Sequence, residues 1–191
     1  MSDRQETLDA GAHCSLDGHP AARFPDTPDE MTDAHPYLSD RFHVEPAWID
    51  YNGHLNMAWY NVLFDRACDA FVVSAGLGPD HLATRGCSYM TAEIHVCYLR
   101  EVFVKDPLQV RTRILDLDDK RLHLFAELVH AEEGWVSATS EQMYLHLDMT
   151  ARRVVPWAAD VRDGLEALWA PTRHLAWPER AGRRIGIPPK G

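Results

Sequence analysis

Apolar side chains at Tyr60, Leu63, Phe64, Ala67, Phe71 and Ala75 recur every three or four residues, while Asn61, Asp65 and Asp69 fall on a different line. That spacing stripes one face of a helix and predicts one from Met57 to about Ala75, stopped by the "GLGP" that follows. Asn56 stands at the N-cap position, where its side-chain oxygen can accept an amide hydrogen of the first turn. Downstream the period changes to two. In "SYMTAEIHVCYL", Met90, Ala92, Ile94, Val96 and Tyr98 alternate with Thr91, Glu93, His95 and Cys97, as in a strand with one face against a core. "PLQVRTRIL" repeats the alternation, and "RLHLFAELVHAEEGWVSATSEQMYLHLD" predicts two long strands joined through "AEEG". A short strand in "DRFHVE" and a closing helix in "AADVRDGLEALW" complete the list.

One long helix beside a run of antiparallel strands is an α+β pattern, and the sheet must cover its apolar face with something. The helix at 57–75 is the only long candidate. The expected fold is therefore an antiparallel sheet wrapped around one long central helix. Its free sheet edges favour a homodimer or homotetramer.

Residues 1–36, rich in Asp, Pro, Ala and Gly, show neither period and predict a poorly ordered extension. A single domain over residues 37–170 follows, because 191 residues with 46% hydrophobic content suit one core better than two. Residues 171–191 form a basic tail carrying Arg180, Arg183 and Arg184. No run approaches the roughly 20 apolar residues of a membrane span and no secretory block opens the chain, so a cytoplasmic protein without a membrane partner is expected. A formal net charge of −10 opposes nucleic acid as a partner. Cys14, Cys68, Cys87 and Cys97 lack CxxC spacing and read as reduced thiols, with neither disulfide nor metal expected.

The densest chemistry lies in "WIDYNGHLNMAWY", where Asp50, Asn52, Gly53, His54 and Asn56 occupy seven positions and Trp48, Tyr51, Trp59 and Tyr60 flank them. Asn52-Gly53 marks a turn that feeds a helix N-terminus, whose unpaired amides can hold an oxyanion. Asp50 beside such a site suits acyl transfer, as a base toward water or as the nucleophile, and an activated thioester is a fitter target than an amide. No GxSxG elbow supports a serine hydrolase. Asp50, His54 and Asn56 are the candidate catalytic residues; Asp50 and Asn56 as plain caps, and His54 as a structural histidine, are the alternative roles. Thr91, Glu93 and His95 are expected on one side of their strand, lining the pocket or facing solvent or a second subunit.

"WIDYNGHLNMAWYNVLFDRACDAF" and "GCSYMTAEIHVCYLREVFVKDPLQVRTRIL" together resemble the hotdog-fold acyl-CoA thioesterases of the 4-hydroxybenzoyl-CoA thioesterase type, over roughly residues 40–150. The resemblance implies a hotdog fold, an acyl-CoA substrate, no cofactor, a catalytic aspartate at Asp50 within Asp50-Tyr51-Asn52-Gly53, and an oxyanion amide at or near Met57. His54 and Asn56 depart from the aromatic-acyl enzymes and resemble acyl-thioesterases with a Gly-His-x-Asn run, while "DYNGH" resembles the betainyl-CoA thioesterases of carnitine breakdown, which share that segment and differ just after the histidine. For such a substrate, Trp48, Tyr51, Trp59 and Tyr60 would offer aromatic faces to a quaternary ammonium, with packing in the core as the alternative role of Tyr60. Asp65 and Arg66 correspond to an acidic-basic pair expected to form a structural salt bridge. Phosphates of CoA would fall to Arg180, Arg183 and Arg184, whose planar donors suit them. A hotdog hydratase or dehydratase and a noncatalytic acyl-CoA binding protein are the competing readings.

Overall fold

The computed structural model of the protein describes residues 36–187, so the extension expected over residues 1–36 lies outside the described residues except for Pro36. A sheet of seven antiparallel strands forms the body: β1 (Tyr37–Leu38), β2 (Phe42–His43), β3 (Cys87–Tyr98), β4 (Pro107–Leu117), β5 (Arg121–His130), β6 (Val136–Asp148) and β7 (Arg153–Val154). The four long strands run in the order β4-β5-β6-β3, with β1 and β2 on the outer side of β4 and β7 on β6. Helix α1 (Met57–Val73) packs on one face, and its buried Tyr60, Leu63, Phe64, Ala67 and Phe71 are the stripe read from the sequence. Leu122, Leu124, Ala126 and Leu128 of β5 meet it from the sheet. No helix among the described residues is long and apolar enough to cross a membrane.

Two expectations need correction. The alternation along β3 breaks at a bulge: Thr91 pairs with Tyr144, but Glu93 pairs with Met143, so Ala92 is an extra residue. Because side chains directly opposite across a ladder share a face, Tyr89 and Thr91 lie on the α1 side, and so do Ile94, Val96 and Tyr98. Glu93 and His95 therefore lie on the outer face, apart from Thr91. The strand also forms an edge, and Met90, Ile94 and Tyr98 are 48%, 46% and 45% exposed. The second correction is a helix, α2 (Pro79–Arg85), in a stretch where a stop was expected. At seven residues it is too short to show a period, but Pro79 in its first turn and Gly86 in the left-handed region just past its end are its signals.

The outer face carries the C-terminal segment. Arg113, Phe125, Glu141 and His95 form a row across β4, β5, β6 and β3. The segment crosses this row, with Arg113 donating to the Ala176 carbonyl at 2.7 Å and the Gly182 amide donating to Glu141 Oε2 at 2.7 Å. His123 packs edge-on against Trp177.

Past the C-terminal end of α1 the molecule is sealed. Helix α3 (Ala159–Trp169) buries Val161 and Leu165 there, and Gly164 meets the Ala75 backbone. Beside it, His81 of α2 and His146 of β6 are buried with Nε2 atoms 3.0 Å apart. His146 Nδ1 lies 3.2 and 3.0 Å from the Val155 and Pro156 carbonyl oxygens. Carbonyls only accept, so Nδ1 carries the hydrogen and Nε2 receives one from His81. Burial, the neighbouring His146 and Arg85 together hold His81 below the ordinary histidine pKa, with Asp160 opposing.

Candidate active site

The segment before α1 folds back on itself. Ile49 bridges Leu55, and the Asn56 amide donates to the Trp48 carbonyl at 2.9 Å. Within this loop the Asp50 amide donates to the His54 carbonyl at 3.1 Å, and the Gly53 amide donates to the Asp50 carbonyl at 3.0 Å. Gly53 has φ +87°, a conformation that side chains resist although no atom lies within 4 Å of where a Cβ would be. The turn thus fixes Asp50 relative to the helix start. One carboxylate oxygen, Oδ1, accepts the Asn52 amide at 2.7 Å, the capping role weighed above. The other oxygen has no partner among the described residues.

Asn56 is the N-cap, its Oδ1 accepting the Ala58 amide at 2.9 Å. The cap leaves the Met57 amide with no acceptor among the described residues. The Met57 carbonyl is engaged instead, receiving Asn61 Nδ2 at 3.2 Å and the Tyr98 hydroxyl at 3.3 Å. Asp50 and the Met57 amide therefore stand at the two ends of one closed loop, an acceptor and a donor with unused capacity.

His54 is half-buried beside two acceptors. Its Nδ1 is 3.4 Å from the Leu55 carbonyl oxygen, and its Nε2 lies 3.8 Å from Glu101 Oε1. Glu101 escaped the sequence reading because it follows β3 in a loop and nothing in its local pattern links it to the motif. Tyr98 and Asn61 escaped it for a similar reason: their meeting at Met57 is made only by packing.

The aromatic residues divide. Trp48 is buried and stacks on Trp59 with ring centroids 4.9 Å apart, and Tyr60 is buried against Tyr98. Tyr51 is 98% exposed and stacks on neither tryptophan. The four faces considered for a quaternary ammonium do not come together in the chain. Arg180 is half-buried and Arg183 and Arg184 are exposed in the segment crossing the outer face, the side of the sheet opposite α1. Arg66 and Asp65 form no salt bridge with each other, in contrast to the expectation; they are successive helix residues and point in different directions.

A cleft of about 360 Å³ opens between α1 and the edge strand, lined by Asn61, Val62, Asp65, Thr91, Ile94 and Gln142. Behind it runs a buried polar line. The Tyr144 hydroxyl donates to Gln142 Oε1 at 2.6 Å, Gln142 Nε2 donates to Ser140 Oγ at 2.9 Å, and the same Nε2 lies 3.8 Å from Cys68 Sγ. Burial pushes the Cys68 thiol up to about 12, which keeps it protonated and unreactive. Among the described residues no three His, Cys, Asp or Glu side chains are placed to hold a metal ion.

Residues 44–165 match the thioesterase-like superfamily. A betainyl-CoA thioesterase of Pseudomonas aeruginosa is 40% identical over 146 residues, covering 76% of this chain and 92% of that protein. The L-carnitine dehydrogenase/betainyl-CoA thioesterase of Rhizobium meliloti is 36% identical over 143 residues, which span 75% of this chain but 29% of the longer protein. A Staphylococcus aureus protein solved in complex with CoA superposes with a TM-score of 0.75 at 30% identity, covering 81% of this chain and 98% of its own. A 1,4-dihydroxy-2-naphthoyl-CoA thioesterase from Synechocystis shares the fold, with a TM-score of 0.60 at 14% identity over 68% of this chain and 96% of its own.

Proposed function

The chain belongs to the thioesterase-like superfamily, as a thioester hydrolase of hotdog fold, and we propose that it cleaves a small or medium acyl-CoA to the free acid and CoA at the Asp50 loop. The observation that carries this is the pairing of a carboxylate with one unbonded oxygen and an unpaired Met57 amide across one closed turn. In the reaction, Asp50 takes a proton from water as the water oxygen bonds to the thioester carbon. The carbonyl oxygen gathers negative charge, which the Met57 amide and the positive end of α1 stabilise. Collapse of the intermediate breaks the carbon–sulfur bond, and the departing thiolate takes up the proton. No cofactor enters this scheme. Asn56 holds the first turn open toward the substrate, and His54 with Glu101 braces the loop.

The names of the relatives support an acyl group bearing a quaternary ammonium. Thiol release from a panel of acyl-CoAs tests the assignment. Asp50→Asn should keep the fold, since an amide oxygen can still accept the Asn52 hydrogen, while turnover falls about a hundredfold or more. Near-wild-type thiol release by that variant would remove Asp50 from the reaction.

The edge of β3, unpaired among the described residues, supports a homodimer, or a homotetramer built from it, joined through that strand. Sedimentation at micromolar concentration should show no stable monomer; a lone monomer there would reject the pairing.

A further inference from the structure

The cleft beside β3 has a charge that the proposed hydrolysis leaves unused. Of its lining residues Asp65 alone is charged. Its carboxylate accepts no hydrogen bond and meets no cation among the described residues, whereas Asp69, one turn further along α1, accepts the Tyr89 hydroxyl at 2.6 Å. Of the uncharged polar groups, Gln142 is engaged by Ser140 and Tyr144, and Asn61 by the Met57 carbonyl, while Thr91 offers a hydroxyl. Val62 and Ile94 supply apolar walls.

Position ties the cleft to the reacting carbonyl. A helix rises 1.5 Å per residue, which puts the Asp65 backbone about 12 Å along α1 from Met57. Side chains lean toward the helix N-terminus by about one position, which brings the carboxylate to roughly 10 Å. A short acyl group with a cationic end spans about 4 Å of that distance, so its charge lies within one Debye length of Asp65, about 8 Å at physiological salt.

We propose that Asp65 is the specificity-determining residue for acyl charge: it favours acyl groups with a cationic end, such as a quaternary ammonium, and disfavours those ending in a carboxylate. The inference rests on the hydrolase reading above and adds the residue that reads the charge. A cation in the cleft gains the attraction of an unneutralised carboxylate at low cost, because Asp65 has no existing partner to surrender.

The test compares betainyl-CoA with 3,3-dimethylbutyryl-CoA, in which a carbon replaces the quaternary nitrogen and shape is kept. For each protein the readout is the ratio of the two kcat/KM values for thiol release. Wild type should favour the cationic compound, Asp65→Asn should lower the ratio about tenfold, and Asp65→Glu should largely restore it. An unchanged ratio in Asp65→Asn overturns the inference, and so does an equal loss on both compounds, which marks a structural role. If wild type cleaves other acyl-CoAs but shows no preference between these two, the charge reading fails and the hydrolase reading stands. If it cleaves no acyl-CoA at all, both fail.

Discussion

At its N-terminal end α1 leaves the Met57 amide unpaired beside a loop whose tip, Tyr51, is almost wholly exposed. Just past its C-terminal end, Ala75 is pressed so closely on α3 that a Cβ on Gly164 would stand 2.9 Å from the Ala75 carbonyl oxygen. Both ends are capped within the rules of helix termini, but only one is closed by packing. A helix end under a second element has its backbone groups satisfied by the protein and can add only stability. An end capped by an asparagine and not covered by a second element keeps a donor available. Variants at the sealed end should therefore change stability, and variants at the open end should change turnover.

The largest effect expected from this contrast comes from Leu165→Ala. Leu165 is fully buried between α3 and the core, and its truncation should cost about 2–5 kcal/mol in urea unfolding. Turnover per folded molecule should hold; a matching loss of kcat would mean that the two ends are coupled. Asn56→Ala comes next. Loss of the cap should cost about 1 kcal/mol, with kcat falling more than that stability change requires, because the first turn also presents the Met57 amide. A variant that loses stability but keeps kcat would show the cap to be structural only.

The smallest effect is one of pH and belongs to the sealed end. His81 is held below its ordinary value, so the unfolded chain takes up a proton before the folded one does. Its contribution to stability is complete above the ordinary histidine pKa of about 6.5 and declines as pH falls below it. Urea midpoints at two pH values on either side should show this decline in wild type and a smaller one in His81→Gln. Equal declines would assign the acid sensitivity to other groups.

The helix, its cap at Asn56 and the four long strands were legible because their patterns are local: a 3.6-residue stripe, a side-chain acceptor before it, and alternation by two. The Asp50–Gly53 turn was legible for the same reason, since Asn-Gly limits the backbone by itself. What stayed hidden depends on partners distant in sequence. The phase of β3 can be counted only against β6, which is why Thr91 was grouped with Glu93 and His95. Glu101 reaches His54, and Tyr98 reaches Met57, only because the loop after β3 packs under the motif: the Leu55 amide donates to the Val102 carbonyl at 2.8 Å. The cleft around Asp65 is likewise a product of assembly, bounded by three elements that no local pattern joins.

The extra residue at Ala92 acts on β3 as a frameshift acts on a message. Before it, odd-numbered side chains face α1; after it, even-numbered ones do. Removing Ala92 would restore a single parity and leave each side chain on the face it now occupies, because Thr91, Glu93 and Ile94 already oppose Tyr144, Met143 and Gln142 in unbroken succession. The bulge is thus slack that absorbs a change of length, whereas a regular stretch of strand has none and a one-residue slip there turns its side chains to the opposite face. Length at this site is a tolerance of the strand, and the cleft wall is set by residue identity at Thr91 and Ile94.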